Sequence, residues 1–137
     1  MDEGVGGTAR GGGVLVVDDH APIREFVCAA LVGAGYAVRE AGDGAEALRL
    51  AQEARPAVIL LDIGLPGMDG RQALAAYRRG PGPHAPVVLM TAAGDIDLYA
   101  AEEGAADLLS KPFSVAELLA VVGRYVPPPG RPPDALE

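Results

Sequence analysis

The chain of 137 residues has the length of one domain, and half of its residues are apolar, which suffices for a single buried core. Its 19 acidic side chains outnumber 11 basic ones, for a formal net charge of −8. So acidic a protein lacks the positive field that attracts nucleic acid or anionic lipid, and we expect neither as a direct partner. No apolar run approaches the ~20 residues that a membrane-spanning helix needs. We therefore expect a cytoplasmic protein that does not insert into membranes.

Both ends of the chain are expected to lie outside the folded core. Residues 1–13, MDEGVGGTARGGG, are rich in glycine and hold too little apolar surface to offset the entropy of becoming ordered. Residues 127–137, PPPGRPPDALE, are rich in proline and leave no room for a second folded unit. The sequence thus predicts one domain over residues 14–126 between a flexible Gly-rich tail and a Pro-rich tail.

Short apolar runs alternate with amphipathic stretches in the first half of this domain. Val14–Val17 is a β-branched run typical of a strand that is buried on both faces. Pro22–Ala34 predicts a helix with proline in its tolerated first turn, and the alternation at Tyr36–Glu40 predicts a second strand. The capping-box spacing at Asp43–Glu46 predicts the start of a helix that runs to about Ala54.

The second half continues with three predicted strands and three predicted helices. The strands are Ala57–Leu61, Pro86–Met90 and Asp107–Ser110, and the helices are Arg71–Arg79, Asp95–Glu103 and Ser114–Val126. Strands and helices that alternate in this way form a parallel sheet with right-handed crossovers. We therefore expect a doubly wound α/β fold, with five strands and helices on both faces.

Polar residues follow four of the five predicted strands. Asp18 and Asp19 follow the first strand, and Asp62, Thr91 and Lys111 follow three others. Each has an ordinary explanation on its own, since Asp and Thr often end strands as turn formers or helix caps. The carboxyl ends of parallel strands meet at one edge of a sheet, where ligands of such folds bind. Taken together, the five residues predict one polar site at that edge.

The residue types in this predicted site indicate a divalent cation and a phosphoryl group. Three carboxylates brought to one edge repel one another unless a cation lies among them. Oxygen ligands without His or Cys favour Mg²⁺ over Zn²⁺. Lys111 is the only lysine beside ten arginines, and its compact ammonium suits a phosphoryl oxygen or a carboxylate.

Four segments of the chain resemble the signatures of receiver domains, the phosphoacceptor modules of two-component response regulators. In the order of that family they are VLVVDDH (Val14–His20), LLDIGLPGMDG (Leu60–Gly70), VVLMTA (Val87–Ala92) and GAADLLSKPF (Gly104–Phe113). The resemblance covers residues 14 to about 126 and implies a flavodoxin-like fold with strand order 2-1-3-4-5. It also implies a partner histidine kinase or phosphotransfer protein and signalling through contact with a downstream protein.

The resemblance further implies a role for each site residue. Asp62 would accept the phosphoryl group, and Thr91 and Lys111 would contact the phosphoryl oxygens. The Mg²⁺ ligands would be Asp18, Asp19, Asp62 and the backbone carbonyl of Gly64. The protein would then be a signalling phosphoacceptor that promotes its own phosphorylation and dephosphorylation, rather than a turnover enzyme. The resemblance also implies a cis peptide bond between Lys111 and Pro112.

Three features depart from the family pattern. Leu108 stands where receivers usually carry Tyr or Phe, so the usual aromatic switch is missing. Thr91 and Lys111 are only 20 positions apart, which predicts a short segment around the expected helix. Gly64 and Ala93 place little side chain over the site, which predicts an accessible phosphoryl group.

Two other functions are consistent with parts of the sequence. The first is a receiver-like interaction module with altered or phosphorylation-independent switching, which Leu108 and the short segment favour. The second is a phosphatase of the haloacid dehalogenase type, which needs an Asp where this chain has Gly64.

A second copy of the chain is a further candidate partner. His20 and His84 are expected to be solvated loop residues, and Cys28 a buried apolar residue.

Overall fold

A five-stranded parallel sheet forms the centre of the protein in a computed structural model, which describes residues 13–96 and 104–127. The strands are β1 (Val14–Val17), β2 (Val38–Ala41), β3 (Val58–Asp62), β4 (Val87–Ala92) and β5 (Asp107–Lys111). They lie in the order β2-β1-β3-β4-β5, and every neighbouring pair is parallel. The predicted doubly wound fold and its strand order are confirmed.

Helices cover both faces of the sheet. They are α1 (Ala21–Gly33), α2 (Gly44–Ala54), α3 (Gly70–Arg79) and α4 (Val115–Gly123). The buried residues of α1 and α4 share one apolar cluster, and those of α2 and α3 share the other. None of the helices described is long and apolar enough to cross a membrane.

Strand β1 shows how one short segment contributes to both cores. Val14 and Val16 pack into the cluster of α1 and α4, whereas Leu15 and Val17 pack into the cluster of α2 and α3. Successive side chains of a strand point to opposite faces, so a central strand covered on both sides has to be apolar throughout. All four residues are buried, as the apolar run predicted.

Side-chain caps fix the starts of three helices. Asp43 accepts a hydrogen bond from the Glu46 backbone N–H at the start of α2. The Glu46 carboxylate accepts the N–H of Gly42 rather than that of Asp43, so the predicted box is displaced by one residue. Complete capping boxes begin the other two helices, Asp69 with Gln72 for α3 and Ser114 with Glu117 for α4. These caps satisfy backbone donors that have no partner inside the helix.

Several predicted boundaries need correction. Strand β2 begins at Val38 rather than Tyr36. Tyr36 is buried before the strand, and its hydroxyl donates to the carbonyl of Val126 at 3.0 Å. Its apolar character therefore reflected core packing and not strand pairing. Helix α4 ends at Gly123, before the predicted end.

Most of the predicted helix Asp95–Glu103 lies outside the described residues. The segment Ala93–Asp95 at its start forms a 3-10 turn directly after β4. The strands β3, β4 and β5 run one or two residues further than predicted. Asp62, Thr91 and Lys111 therefore lie within the strand ends, where backbone pairing restrains them, rather than in the loops that follow.

Candidate functional site

Strand register brings the predicted site residues to one edge of the sheet. Asp62 at the end of β3 pairs with Met90 of β4, and Lys111 at the end of β5 pairs with Ala92. Asp18 follows β1, which is the other neighbour of β3. Residues separated by more than 90 positions in the chain thus become neighbours in space.

Lys111 links two of the carboxylates directly. Its Nζ atom lies 2.8 Å from Asp62 Oδ1 and 2.9 Å from Asp18 Oδ2. Both carboxylates are buried, with Asp18 fully covered and Asp62 7% exposed. Lys111 itself lies partly in solvent. The ammonium therefore offsets part of the negative charge of the two carboxylates.

Four atoms of Asp18 take part in hydrogen bonds. Its backbone N–H donates to the carbonyl of Ala41 on β2, and its own carbonyl accepts from Arg24 Nη1 at 2.7 Å. Its carboxylate accepts the N–H of His20 at Oδ1 and the ammonium of Lys111 at Oδ2. A fully buried charge is tolerated only when it is paired and hydrogen-bonded in this way. His20 is exposed, as expected, but its backbone is part of the site.

The chemistry of the donor set fits a hard divalent cation. Asp18, Asp19 and Asp62 each offer one carboxylate oxygen, and these three oxygens lie within 4.8 Å of one another. Asp19 is exposed, so the cluster can be reached from solvent. Oxygen ligands of this kind suit Mg²⁺, which is bound through a few carboxylates and keeps several waters. The Asp cluster can therefore hold a metal ion.

Gly64 leaves space beside one oxygen of Asp62. A Cβ atom built on Gly64 would lie 3.7 Å from Asp62 Oδ2, the oxygen that Lys111 does not contact. A larger side chain at this position would grow towards that oxygen. The role of the Gly64 carbonyl as a metal ligand stays a prediction.

The site carries more negative than positive charge. Burial raises the pKa of Asp62, and the nearby Asp18 and Asp19 add to that rise against the opposing hydrogen bond from Lys111. Burial alone would lower the pKa of Lys111, but its hydrogen bonds to Asp62 and Asp18 outweigh this effect and raise it. The lysine is therefore held in its charged form, while Asp62 remains short of positive partners.

Thr91 supplies a hydroxyl next to this cluster. It is buried near the end of β4, and its backbone pairs with Ser110 of β5. Within the part of the chain that the structure describes, the hydroxyl makes one long hydrogen bond of 3.5 Å, to the carbonyl of Ala92. A hydrogen bond of that length is weak, so the hydroxyl can be redirected to a stronger acceptor at little cost.

The loop after β3 packs closely against the strand that carries Asp62. The Gly70 N–H donates to the carbonyl of Ile63 at 2.9 Å. A Cβ atom on Gly70 would lie 2.3 Å from the carbonyl oxygen of Asp62, which no real side chain tolerates. Glycine at this position therefore allows the start of α3 to support the end of β3.

Several further predictions can be compared with the structure. The Lys111–Pro112 peptide bond is cis, as the resemblance implied. Cys28 is buried, and burial followed by the charge of Glu40 raises its pKa to about 11, so the thiol stays protonated. The prediction for His84 was wrong, because this side chain is half-buried and makes a 2.9 Å hydrogen bond between Nε2 and the Gly80 carbonyl.

Sequence reasoning missed Arg24. This residue contacts the backbone of Asp18 and pairs with Glu40 on β2. Arginine six positions after Asp18 forms no local pattern, because its partner Glu40 comes from another element. Only the fold brings the two together.

The comparisons with known proteins agree with this geometry. The family model described as the response regulator receiver domain matches residues 14–123. The DNA-binding transcriptional regulator NtrC of Escherichia coli K12 is 41% identical over 115 residues, which are 82% of this chain and 24% of NtrC. The DNA-binding response regulator MtrA of Mycobacterium tuberculosis H37Rv is 40% identical over 111 residues, 80% of this chain and 48% of MtrA. The chain thus spans about a quarter to a half of these curated relatives.

Solved structures of similar proteins share the fold. The receiver domain of NtrX from Brucella abortus superimposes with a TM-score of 0.76 at 34% identity, covering 82% of this chain and 96% of that domain. The chemotaxis protein CheY4 of Vibrio cholerae gives a TM-score of 0.69 at 35% identity, covering 82% of this chain and 97% of its own. Both similarities extend over nearly the whole of the neighbour.

Proposed function

Because the chain belongs to the response regulator receiver domain family, we propose that it is the phosphoacceptor of a two-component phosphorelay. In this proposal Asp62 takes the phosphoryl group from a histidine kinase or a phosphotransfer protein. The observation that carries the proposal is the position of Lys111, whose Nζ lies within 2.9 Å of both Asp18 and Asp62. One cation shared by two buried carboxylates, one at the end of β3 and one directly after β1, is an arrangement suited to a phosphoryl group.

The transfer forms one bond and breaks one. An oxygen of the Asp62 carboxylate attacks phosphorus, and the bond from phosphorus to the imidazole nitrogen of the donor breaks. The electron pair of that bond stays on the imidazole, and the product on this chain is a mixed anhydride of aspartate and phosphate. A small acyl phosphate can replace the phosphohistidine, in which case a carboxylate leaves.

Two neighbouring residues, Lys111 and Thr91, can stabilise the negative charge on the phosphoryl oxygens during the transfer. Lys111 already contacts Asp62 Oδ1, so its ammonium is in place to bind a phosphoryl oxygen. The weakly bonded hydroxyl of Thr91 can turn from the Ala92 carbonyl to another phosphoryl oxygen. Lys111 favours the transition state because it is in place before the reaction begins, and Thr91 needs only a rotation of its hydroxyl.

Mg²⁺ is the cofactor in this proposal. Asp18, Asp19, Asp62 and the Gly64 carbonyl would hold it, and it would neutralise negative charge on the carboxylates and the incoming phosphoryl group. The three carboxylate oxygens within 4.8 Å of one another support this ligand set. Water then hydrolyses the acyl phosphate and resets the protein, and the small residue Gly64 leaves room for it beside Asp62.

The output of the phosphorylated chain is proposed to be contact with another protein. The curated relatives NtrC and MtrA carry DNA-binding in their names, and that property is theirs. The net charge of −8 supports protein contact here, because direct binding to nucleic acid needs a positive surface. We place this exchange in the cytoplasm, where the donor proteins of such relays present their phosphohistidine.

Intact-mass spectrometry after incubation with acetyl phosphate and Mg²⁺ tests the proposal. We expect the gain of one phosphoryl mass, its absence when a chelator removes the metal, and its loss in Asp62→Asn. Asp107→Asn is the matched control, because it removes another strand carboxylate far from Lys111 along β5. Labelling that persists in Asp62→Asn, or that needs no divalent cation, would refute the proposed function.

Leu108 favours a second function, a receiver-like module whose conformation does not respond to phosphorylation. Its side chain is half-buried and packs against the apolar cluster of α2 and α3, and it has no aromatic ring of its own that could report a movement of Thr91. Amide hydrogen exchange separates the two functions. Phosphorylation that leaves exchange unchanged between residues 95 and 110 would favour the decoupled module, whereas altered exchange there supports a switch.

A further inference from the structure

Arg24 joins the loop that carries the acidic pair to the neighbouring strand. Its Nη1 donates to the backbone carbonyl of Asp18 at 2.7 Å, and its Nε donates to Glu40 Oε1 at 3.0 Å. Although charged, its side chain is only 22% exposed. The guanidinium therefore occupies a fixed place between helix α1, the loop after β1 and strand β2.

The contact with Asp18 acts on Asp19 through the backbone. The carbonyl of Asp18 and the N–H of Asp19 belong to one planar peptide unit, so a hydrogen bond to that carbonyl fixes the plane from which Asp19 extends. Asp19 is exposed, and no side chain within residues 13–96 and 104–127 binds its carboxylate. The backbone at Asp19 therefore sets where its side chain starts, and two side chains hold that backbone: Arg24 binds the Asp18 carbonyl, and the Asp18 carboxylate accepts the N–H of His20.

Glu40 explains why this residue is an arginine. The planar guanidinium offers several donors in a fixed fork, so one edge can bond Glu40 while an outer nitrogen bonds Asp18. Glu40 is half exposed, and an ion pair of that kind adds little stability. Its contribution is to fix the orientation of the guanidinium.

We infer that Arg24 is a positioning residue for Mg²⁺ binding, which places the Asp19 carboxylate by holding the peptide plane between Asp18 and Asp19. Glu40 in turn orients Arg24. This inference rests on the proposed function, of which the Mg²⁺ site is a part. It predicts that the loss of Arg24 weakens the binding of a metal that Arg24 itself does not touch.

Electrostatics alone predicts the opposite sign. Replacing Arg24 by an apolar residue removes a positive charge beside an acidic cluster, and by Coulomb's law this makes the cluster more attractive to a cation. A charge effect would therefore tighten Mg²⁺ binding, whereas a positioning effect loosens it. The direction of the change distinguishes the two explanations.

Calorimetric titration of the full chain with MgCl₂, without a phosphoryl donor, tests this inference. We expect the Kd for Mg²⁺ to rise about 10-fold in Arg24→Met, the range found when residues behind metal ligands are replaced. Arg49→Met is the matched control, because Arg49 pairs with Glu53 on the exposed face of α2. Its Kd is expected to stay within about 2-fold of the wild type.

Arg24→Lys supplies a second variant that keeps the charge and most of the side chain. Lysine cannot bond Glu40 and Asp18 through one rigid fork, so we expect a smaller rise in Kd of roughly 3-fold. Thermal unfolding in chelator accompanies each titration. An unchanged or lower Kd in Arg24→Met overturns the inference, and so does a lowered melting temperature with an unchanged Kd. If Arg24→Met fails to fold, an unchanged Kd for Mg²⁺ in Arg24→Lys overturns the inference.

Acetyl phosphate labelling keeps this test separate from that of the proposed function. A wild-type chain that is labelled on Asp62, together with an Arg24→Met chain of unchanged Mg²⁺ affinity, refutes the inference alone. A wild-type chain that binds Mg²⁺ but is never labelled refutes the proposed function. In that case a weakened Arg24→Met still supports the positioning role.

Discussion

Each end of strand β5 carries an ion pair, and the two ends differ in their balance of charge. Asp107 at its start is one carboxylate with three donors, namely the Leu108 N–H, Arg124 and the Tyr125 hydroxyl. Lys111 at its end is one donor group shared by Asp18 and Asp62, with Asp19 nearby. The first end is satisfied by the protein itself, whereas the second has an excess of negative charge that a cation can relieve.

This difference separates a structural ion pair from a candidate phosphoryl site. Both ends use ordinary carboxylates and cations on the same strand, so residue type alone does not distinguish them. The number of carboxylates that share one cation, and their burial, make the distinction.

Replacing Lys111 by methionine is expected to have the largest effect. Two buried carboxylates then lose their only cationic partner among the described residues, which should lower the free energy of unfolding by about 3 kcal/mol in metal-free buffer. Labelling by acetyl phosphate should slow by roughly 100-fold, because one preorganised donor to the phosphoryl group is gone. Urea unfolding and timed mass spectrometry measure both effects.

Added Mg²⁺ provides the internal control for this variant. A ligand that binds only the folded state stabilises it, so Mg²⁺ should restore part of the lost stability. Wild-type stability and a wild-type labelling rate in Lys111→Met would show that the cluster does not depend on its lysine. The contrast between the ends of β5 would then carry no functional meaning.

The two ends are also expected to respond to pH in opposite directions. Burial and neighbouring carboxylates raise the pKa of Asp62 above its ordinary 3.8, so its ionisation costs stability as pH rises through the raised value. Burial acts the same way on Asp107, but hydrogen bonds from Arg124, the Leu108 N–H and Tyr125 outweigh it and lower its pKa. Asp107 therefore stabilises the fold above the ordinary value, and this contribution is lost as pH falls through the lowered value.

Carboxyl-carbon NMR in metal-free buffer measures both titrations. We expect the midpoint of Asp62 to lie above that of Asp107. The stability of the wild type relative to Asp62→Asn should fall as pH rises through the acidic range, whereas its stability relative to Asp107→Asn should increase. Equal midpoints, or the reverse order, would contradict the assigned difference in charge balance.

Replacing Arg124 by methionine is expected to have the smallest effect. The Arg124 side chain is 58% exposed, and exposed ion pairs contribute about 0.5 kcal/mol. The Asp107 carboxylate keeps its bonds from the Leu108 N–H and Tyr125. Urea unfolding should show this small loss, and labelling by acetyl phosphate should be unchanged. A loss as large as that of Lys111→Met would erase the distinction between the two ends.

Sequence patterns are sufficient to predict the sheet and the convergence of the site. The run Val14–Val17 is apolar at every position because β1 is covered on both faces. The carboxyl ends of parallel strands share an edge, which predicts that Asp18, Asp62 and Lys111 lie along that edge. The strand order that makes them neighbours was implied by the family resemblance. Strand identity and strand order therefore determine most of the site.

Side-chain contacts between elements outside the strand ends were beyond the reach of the sequence. Arg24 and Glu40 are 16 positions apart, and the sequence around each of them indicates only a solvated charge on the surface of its own element. Tyr36 resembled a strand residue because a buried aromatic ring and a strand position share the same apolar signal. The predicted helix Asp95–Glu103 stays a prediction, since most of it lies outside the residues that the structure describes.

Chemical mapping of the modified residue identifies the phosphoacceptor without relying on any variant. Borohydride reduces an aspartyl phosphate to homoserine, so the wild-type chain is treated with acetyl phosphate and Mg²⁺, reduced, digested and sequenced by mass spectrometry. We expect homoserine at position 62 and unmodified aspartate at positions 18, 19 and 107. Homoserine at any of those other positions, or a phosphoryl group found on a histidine with Asp62 intact, would contradict this expectation.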